Sequence, residues 1–136
     1  MSANQFPFAR NRKDAIYVTS KANAAAGANS NSFDLEQATA GDLETIAVEL
    51  ALPAEALLSD AKVLTFRLED SADGTTFAAV DPAISTTQTG AGGAGVAAKK
   101  VRFRLPVNTR RYIRIAQTVT ATPGTLSGSF TVSLLF

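Results

Sequence analysis

Cysteine, histidine and tryptophan are absent from this chain. Without cysteine there is no disulfide, no thiolate nucleophile and no thiolate metal ligand, a composition that suits synthesis in a reducing cytoplasm. Without histidine the usual general base near neutral pH and the commonest metal ligand are missing. Nucleophilic triads are thereby excluded, apart from Ser-Lys arrangements. With no tryptophan and only Tyr17 and Tyr112 as tyrosines, little stacking surface remains for a sugar platform. No apolar run approaches the roughly 18 residues of a membrane-spanning helix. Met1 to Asn11 has no apolar core of signal-peptide length, and Arg10, Arg12 and Lys13 come too late for its charged start. The chain reads as soluble and unprocessed, with no membrane partner.

Acidic residues are missing from the whole second part. All 12 lie between Asp14 and Asp81, and residues 1–81 hold six basic residues beside them; residues 82–136 hold seven basic residues and no acid. A net charge of +1 hides this asymmetry. In one domain the two parts must lie together, so some of these charges are expected to pair internally. The rest would form oppositely charged surfaces that favour ordered association.

What is present suits short strands and polar turns. The 136 residues are enough for one domain with one core. Alanine accounts for 25 of the apolar residues, and Leu, Val, Phe and Ile supply the large core formers. Residues 1–13 read as an extended arm, because Phe6-Pro7-Phe8 has no periodicity and Pro7 disfavours helix. Residues 14–136 read as a single β-sandwich domain.

Within that domain, period-two alternation marks the strands. Asp14 to Thr19 and Ser32 to Leu35 are candidates, separated by a flexible loop over Lys21 to Asn31. Glu44 to Leu52 points Ile46, Val48, Leu50 and Leu52 one way. Ala54 to Leu58 is the one candidate helical turn. Lys62 to Asp70 places Leu64, Phe66 and Leu68 on one side, and Asp70 to Gly74 turns the chain into a hairpin with Thr75 to Val80. Lys100 to Leu105 points Val101, Phe103 and Leu105 inward and Lys100, Arg102 and Arg104 outward. Arg111 to Thr118 separates Ile113 and Ile115 from Tyr112 and Arg114. Gly128 to Phe136 aligns Phe130, Val132, Leu134 and Phe136. About eight strands, short turns and no long helix give an all-β antiparallel two-sheet sandwich, with a jelly roll as the favoured version.

Candidate chemistry fails on context. With Gly74 at the sixth position of a calcium loop, Glu69, Ser71 and Asp73 fall at the first, third and fifth, but Val80 stands where the bidentate acid belongs. The glycine–alanine segment Gly90 to Ala98 leads into a strand rather than a helix, so it is not a phosphate cradle; it reads as a mobile connection that a partner would order. The carboxylates Glu49, Glu69, Asp70 and Asp73 sit on outward faces or in a turn and read as solvated charge. No metal, cofactor or enzymatic activity is expected.

Nucleic-acid binding suits the basic strands poorly. Arg102 and Arg104 stand about 7 Å apart on one face, but Phe103 points away from them, and single-strand binders need aromatics on the basic face. A protein interface is the better reading. Its candidate residues are Phe6 and Phe8, which would pack against another subunit, with Arg102, Arg104, Tyr112 and Arg114. Reversing Arg102 and Arg104 is expected to leave the fold intact.

The run from Thr65 to Gly74, followed by Thr76-Phe77, resembles a hairpin common in small phage structural proteins. The runs Leu105-Pro106-Val107-Asn108-Thr109-Arg110-Arg111-Tyr112-Ile113-Arg114 and Gly124 to Phe130 resemble the capsid cement (decoration) proteins of tailed bacteriophages, of the type known from a Bordetella phage. The likeness covers Lys62 to Phe136. It implies a homo-oligomeric jelly roll, dimer or trimer, on the exterior of the virion capsid, made in the host cytoplasm. Such a protein staples neighbouring major capsid proteins and uses no cofactor. A carbohydrate- or receptor-binding sandwich module of a phage tail is the alternative.

Overall fold

The alternating segment around Phe66 forms the middle of one sheet, and the alternating segment at the end of the chain forms the middle of the other. The computed structural model describes residues 13–36 and 46–135, with the backbone alone for 13–16. Among these it contains ten strands and no helix. They are β1 (Lys13–Ala22), β2 (Ala28–Asn29), β3 (Phe33–Asp34), β4 (Ala47–Leu52), β5 (Val63–Ser71), β6 (Ala78–Ala79), β7 (Ser85–Thr89), β8 (Lys99–Arg104), β9 (Tyr112–Val119) and β10 (Ser129–Leu135).

One sheet has the order β1-β10-β4-β8, and the other β2-β9-β5-β6, with β3 also on β9 and β7 also on β5. Strands β2 and β3 follow one another along β9, and β6 and β7 along β5. Each pair therefore counts as one interrupted strand, leaving eight strand positions. First pairs with eighth, second with seventh, third with sixth and fourth with fifth, all antiparallel. That is one long hairpin, its tip at residues 72–77, rolled into two facing layers: a jelly roll.

Packing follows the pleat. Leu64, Phe66 and Leu68 of β5 face Leu50, Phe130, Val132 and Leu134 of the opposite sheet in a single core. The Phe66 and Phe130 rings meet edge to face at 5.2 Å, and burying a side chain of this size stabilises by roughly 1.5–3 kcal/mol. The alternation expected for β10 holds at Phe130, Val132 and Leu134; Phe136 lies outside the described residues. Leu135 stands on the outer side of its sheet by alternation yet is 1 % exposed, and its neighbours Ser133 and Glu49 are buried there too.

Two loops differ from expectation. Residues 54–58 form no helical turn: Leu58 N donates to Glu55 O at 3.2 Å in a tight turn, while Glu55 and Leu58 bridge to Val96 and Gly124. The segment 21–31 is not one loop, since β1 runs to Ala22 and β2 starts at Ala28.

The glycine–alanine segment is fixed within the molecule itself. Ala91 N donates to Gly95 O at 3.1 Å and Gly93 N to Asp60 Oδ1 at 2.9 Å. Gly95 has φ +70°, and a Cβ there would collide with the Glu55 carbonyl oxygen. Glycine serves here for close backbone approach, which composition alone reads as looseness.

Candidate interaction surface

Strand pairing decides where the basic residues go. Strand β8 is an edge, paired through β4 alone, with Lys100, Arg102 and Arg104 opposite Ala51, Glu49 and Ala47. Arg102 Nε donates to Glu49 Oε2 at 2.8 Å, and Glu49 is 1 % exposed. Lys99 Nζ donates to the Thr87 carbonyl at 2.9 Å, reaching across to the other sheet. Lys100 and Arg104 make no ion pair with a described residue.

Tyr112 and Arg114 stand on β9, on the outer side of the second sheet. Arg114 Nε donates to Glu69 Oε1 at 2.9 Å and Arg67 Nη2 to Glu69 Oε2 at 2.6 Å, so two guanidinium groups share one buried carboxylate. The Arg114 guanidinium also lies 4.1 Å from the Phe77 ring centre, a cation–π contact. Arg111 covers the Tyr112 ring at 5.2 Å and grips Asp34 with two hydrogen bonds of 2.7 and 2.8 Å. Arg110 holds Asp70 through its backbone N–H, Nε and Nη2 at 2.7–3.0 Å.

The expected internal pairing of the two chain halves is therefore present: Arg102, Arg110, Arg111 and Arg114 all bind acids from the first half. Expectation fails for the carboxylates. Glu49, Glu69 and Asp70 are buried beneath arginine side chains rather than solvated, because arginine stems cover the sheet surface while their heads reach the carboxylate. Only Asp73 of the four is exposed. Its Oδ1 accepts from Thr75 N, Thr76 N and Ser71 Oγ, and these bonds, Thr76 N first, hold the carboxyl well below the usual range. The oxygen that a calcium loop would aim at an ion closes its own turn instead. Asp34 is likewise held low, by Arg111 first and the Glu36 N–H second. Arg110 and Arg111 are raised, chiefly by their bonds to Asp70 and Asp34.

The six interface candidates do not share one surface. Arg102 and Arg104 face outward from one sheet, Tyr112 and Arg114 from the other, and Phe6 and Phe8 lie outside the described residues. Arg102 is not a replaceable surface charge either, since reversing it would set a second carboxylate beside the buried Glu49. Alternation already points Lys100 outward with Arg102 and Arg104, but the interface candidates leave it out; its place at an edge follows only from strand order.

Residues 12–134 match the Bbp16 family. The chain belongs to the Bbp16 family. That name points to a Bordetella phage protein, in agreement with the resemblance carried by the second half of the sequence. A search of curated proteins finds no match for this Bbp16 member. Among solved structures it is similar to a xylan-binding module, CBM15, at 14 % identity over 88 % of this chain and 92 % of that one, with a TM-score of 0.42. It is similar to the infectious bursal disease virus Gx strain at 18 % identity over 88 % of this chain and 28 % of that one, with a TM-score of 0.33. Likenesses of this strength carry no argument about what a Bbp16 protein binds.

Proposed function

We propose that this Bbp16 protein is a non-enzymatic virion structural protein that binds the outer surface of the phage capsid and stabilises contacts between major capsid proteins. It acts there as a homo-oligomer, a dimer or trimer, without cofactor or nucleic acid. The observation that carries the reading is the edge strand β8: Lys100, Arg102 and Arg104 lie in one row on its outer side, and Lys100 and Arg104 make no ion pair with a described residue. An unpaired strand edge offers backbone donors and acceptors to a partner, and a basic one selects an acidic surface. Family membership and the resemblance of Lys62 to Phe136 to cement proteins support the same reading.

Two alternatives weigh less. Lysine on an edge strand also serves as a guard against unwanted pairing, and the experiment below separates guard from contact. Sugar binding lacks a platform, since Tyr17 packs against Phe33 and Tyr112 lies under Arg111. Catalysis finds no free acid–base pair among the described buried carboxylates, which are held by guanidinium groups or backbone amides.

The test is Lys100→Glu with Arg104→Glu, leaving Arg102 on Glu49. Melting should stay close to the parent, because both side chains are exposed and without ion pairs among the described residues. Binding to tailless heads of the parent phage should fall about tenfold or more. Unchanged binding would reduce the basic edge to a guard and remove this reading.

A further inference from the structure

The open side of the sandwich lies where β7, an edge of the second sheet, faces β8, an edge of the first. At one end the seam is closed: Lys99 Nζ reaches the Thr87 carbonyl, and Gln88 Nε2 donates to the carbonyls of Pro53 and Ala97 at 2.9 and 3.1 Å. Towards Ser85 and Arg102 it opens into a slot of about 200 Å3 that reaches the core. Its walls are apolar, with Leu50, Phe66, Leu68, Ile84, Val101 and Phe103 among them, and Ser85, Thr86 and Arg102 complete the lining. Ile84 also lines an adjoining hollow with Arg104, Pro106 and Val107, and Val107 is 63 % exposed.

Protein interiors are close-packed, so an apolar opening of this size is a hole without its knob. A cavity of about 150 Å3 already accepts a benzene ring, and this slot therefore has room for one aromatic side chain. Two features define what carries that side chain. The β8 edge leaves backbone groups unpaired, which suits an extended segment, and its rim is basic at Lys100, Arg102 and Arg104. A second copy of this chain presenting its own basic edge would be repelled.

We infer that the seam between β7 and β8 receives an extended acidic segment of a partner protein, which inserts one aromatic side chain into the slot lined by Ile84, Val101 and Phe103. This deepens the capsid-binding reading and rests on it: the basic edge supplies attraction and alignment, and the slot supplies an anchor of the kind that dominates interface energetics.

The test uses the full-length protein and three synthetic peptides. One carries a phenylalanine flanked by aspartate and glutamate, the second replaces that phenylalanine by alanine, and the third replaces the acids by lysine. Amide NMR shifts on titration should centre on residues 84–87 and 101–105 with the first peptide. The alanine and lysine peptides should bind at least about tenfold more weakly. Equal binding of the phenylalanine and alanine peptides, or shifts centred elsewhere, would overturn the slot. A Thr86→Phe variant, filling the slot from inside, should lose the phenylalanine preference and bind phage heads more weakly. If it melts like the parent and binds heads equally well, the slot fails while the basic edge stands. Loss of binding by the Lys100→Glu, Arg104→Glu protein tests the edge separately.

Discussion

The two ends of the sandwich are held by opposite means. At one end four loops, residues 23–27, 53–62, 90–98 and 120–128, converge on Glu55, which is fully buried. Its carboxylate accepts from Asn23 Nδ2 at 2.5 Å, Ser127 N at 2.9 Å and Gly128 N at 3.1 Å, and its backbone bridges Val96. Ser59 N donates to Pro123 O in the same region. No described cation touches the Glu55 carboxylate; amide donors surround it, with the Ser127 hydroxyl at 3.5 Å. At the other end Asp70 and Asp34 are gripped by Arg110 and Arg111 at the sandwich surface. The first end is a buried hydrogen-bond node that excludes water, the second a set of ion pairs in contact with it. The chain thus uses glycine and alanine where backbones must approach, and long charged side chains where loops stay apart.

The contrast gives an ordered set of expectations. Glu55→Ala should be the most damaging, lowering unfolding free energy by about 2–4 kcal/mol, because several buried donors lose their acceptor at once. Denaturant titration would read this, and Glu55→Gln should lose less, since one carbonyl oxygen remains. Gly95→Ala should follow at about 1–3 kcal/mol, from its left-handed φ and the collision with the Glu55 carbonyl. At the charged end, Arg110→Ala should lower stability by about 1–2 kcal/mol, less than a deeply buried pair would, because Arg110 is 44 % exposed and solvent screens it. Raising salt to about 1 M should shrink the Arg110 effect and leave the Glu55 effect unchanged. Equal salt sensitivity at the two ends would dissolve the distinction.

The smallest effect is a dependence on acid. Asp73 and Asp34 are held low in the folded chain, so each contributes stability that is fully present above the unfolded aspartate pKa of about 3.9 and disappears as pH falls through the folded value. Asp73→Asn should melt slightly below the parent at neutral pH, and the gap should close as the solution is acidified below about pH 4. A gap that widens with acid would contradict the turn geometry.

Alternation alone located β4, β5, β8, β9 and β10, and the Asp70–Gly74 turn fell where residue chemistry demanded. Alternation tells which side of a strand a residue stands on, but not what lies over that side. Glu49 therefore read as solvated, although its Arg102 partner is 53 residues away and beside it only because β4 pairs with β8. The same holds for Glu69, whose second arginine comes from β9. The segment 90–98 looked loose because its restraints, Glu55 and Asp60, lie on a distant stretch of chain. The seam between β7 and β8 was invisible for a related reason: it belongs to neither strand, only to the gap between two sheets.

Strand β10, between β1 and β4, also sets the timing of folding. Ser20 meets Thr131 across 111 residues, so the first sheet has no middle until the ribosome has delivered β10. Before then β1 and β4 wait with open edges and apolar faces, a state that invites pairing with the wrong chain. The sheet is completed by β10 and by no earlier part of the chain, and contacts of such sequence separation form slowly. Crowding nascent chains on a polysome would therefore reduce the yield of this protein more than that of a helical one of equal length.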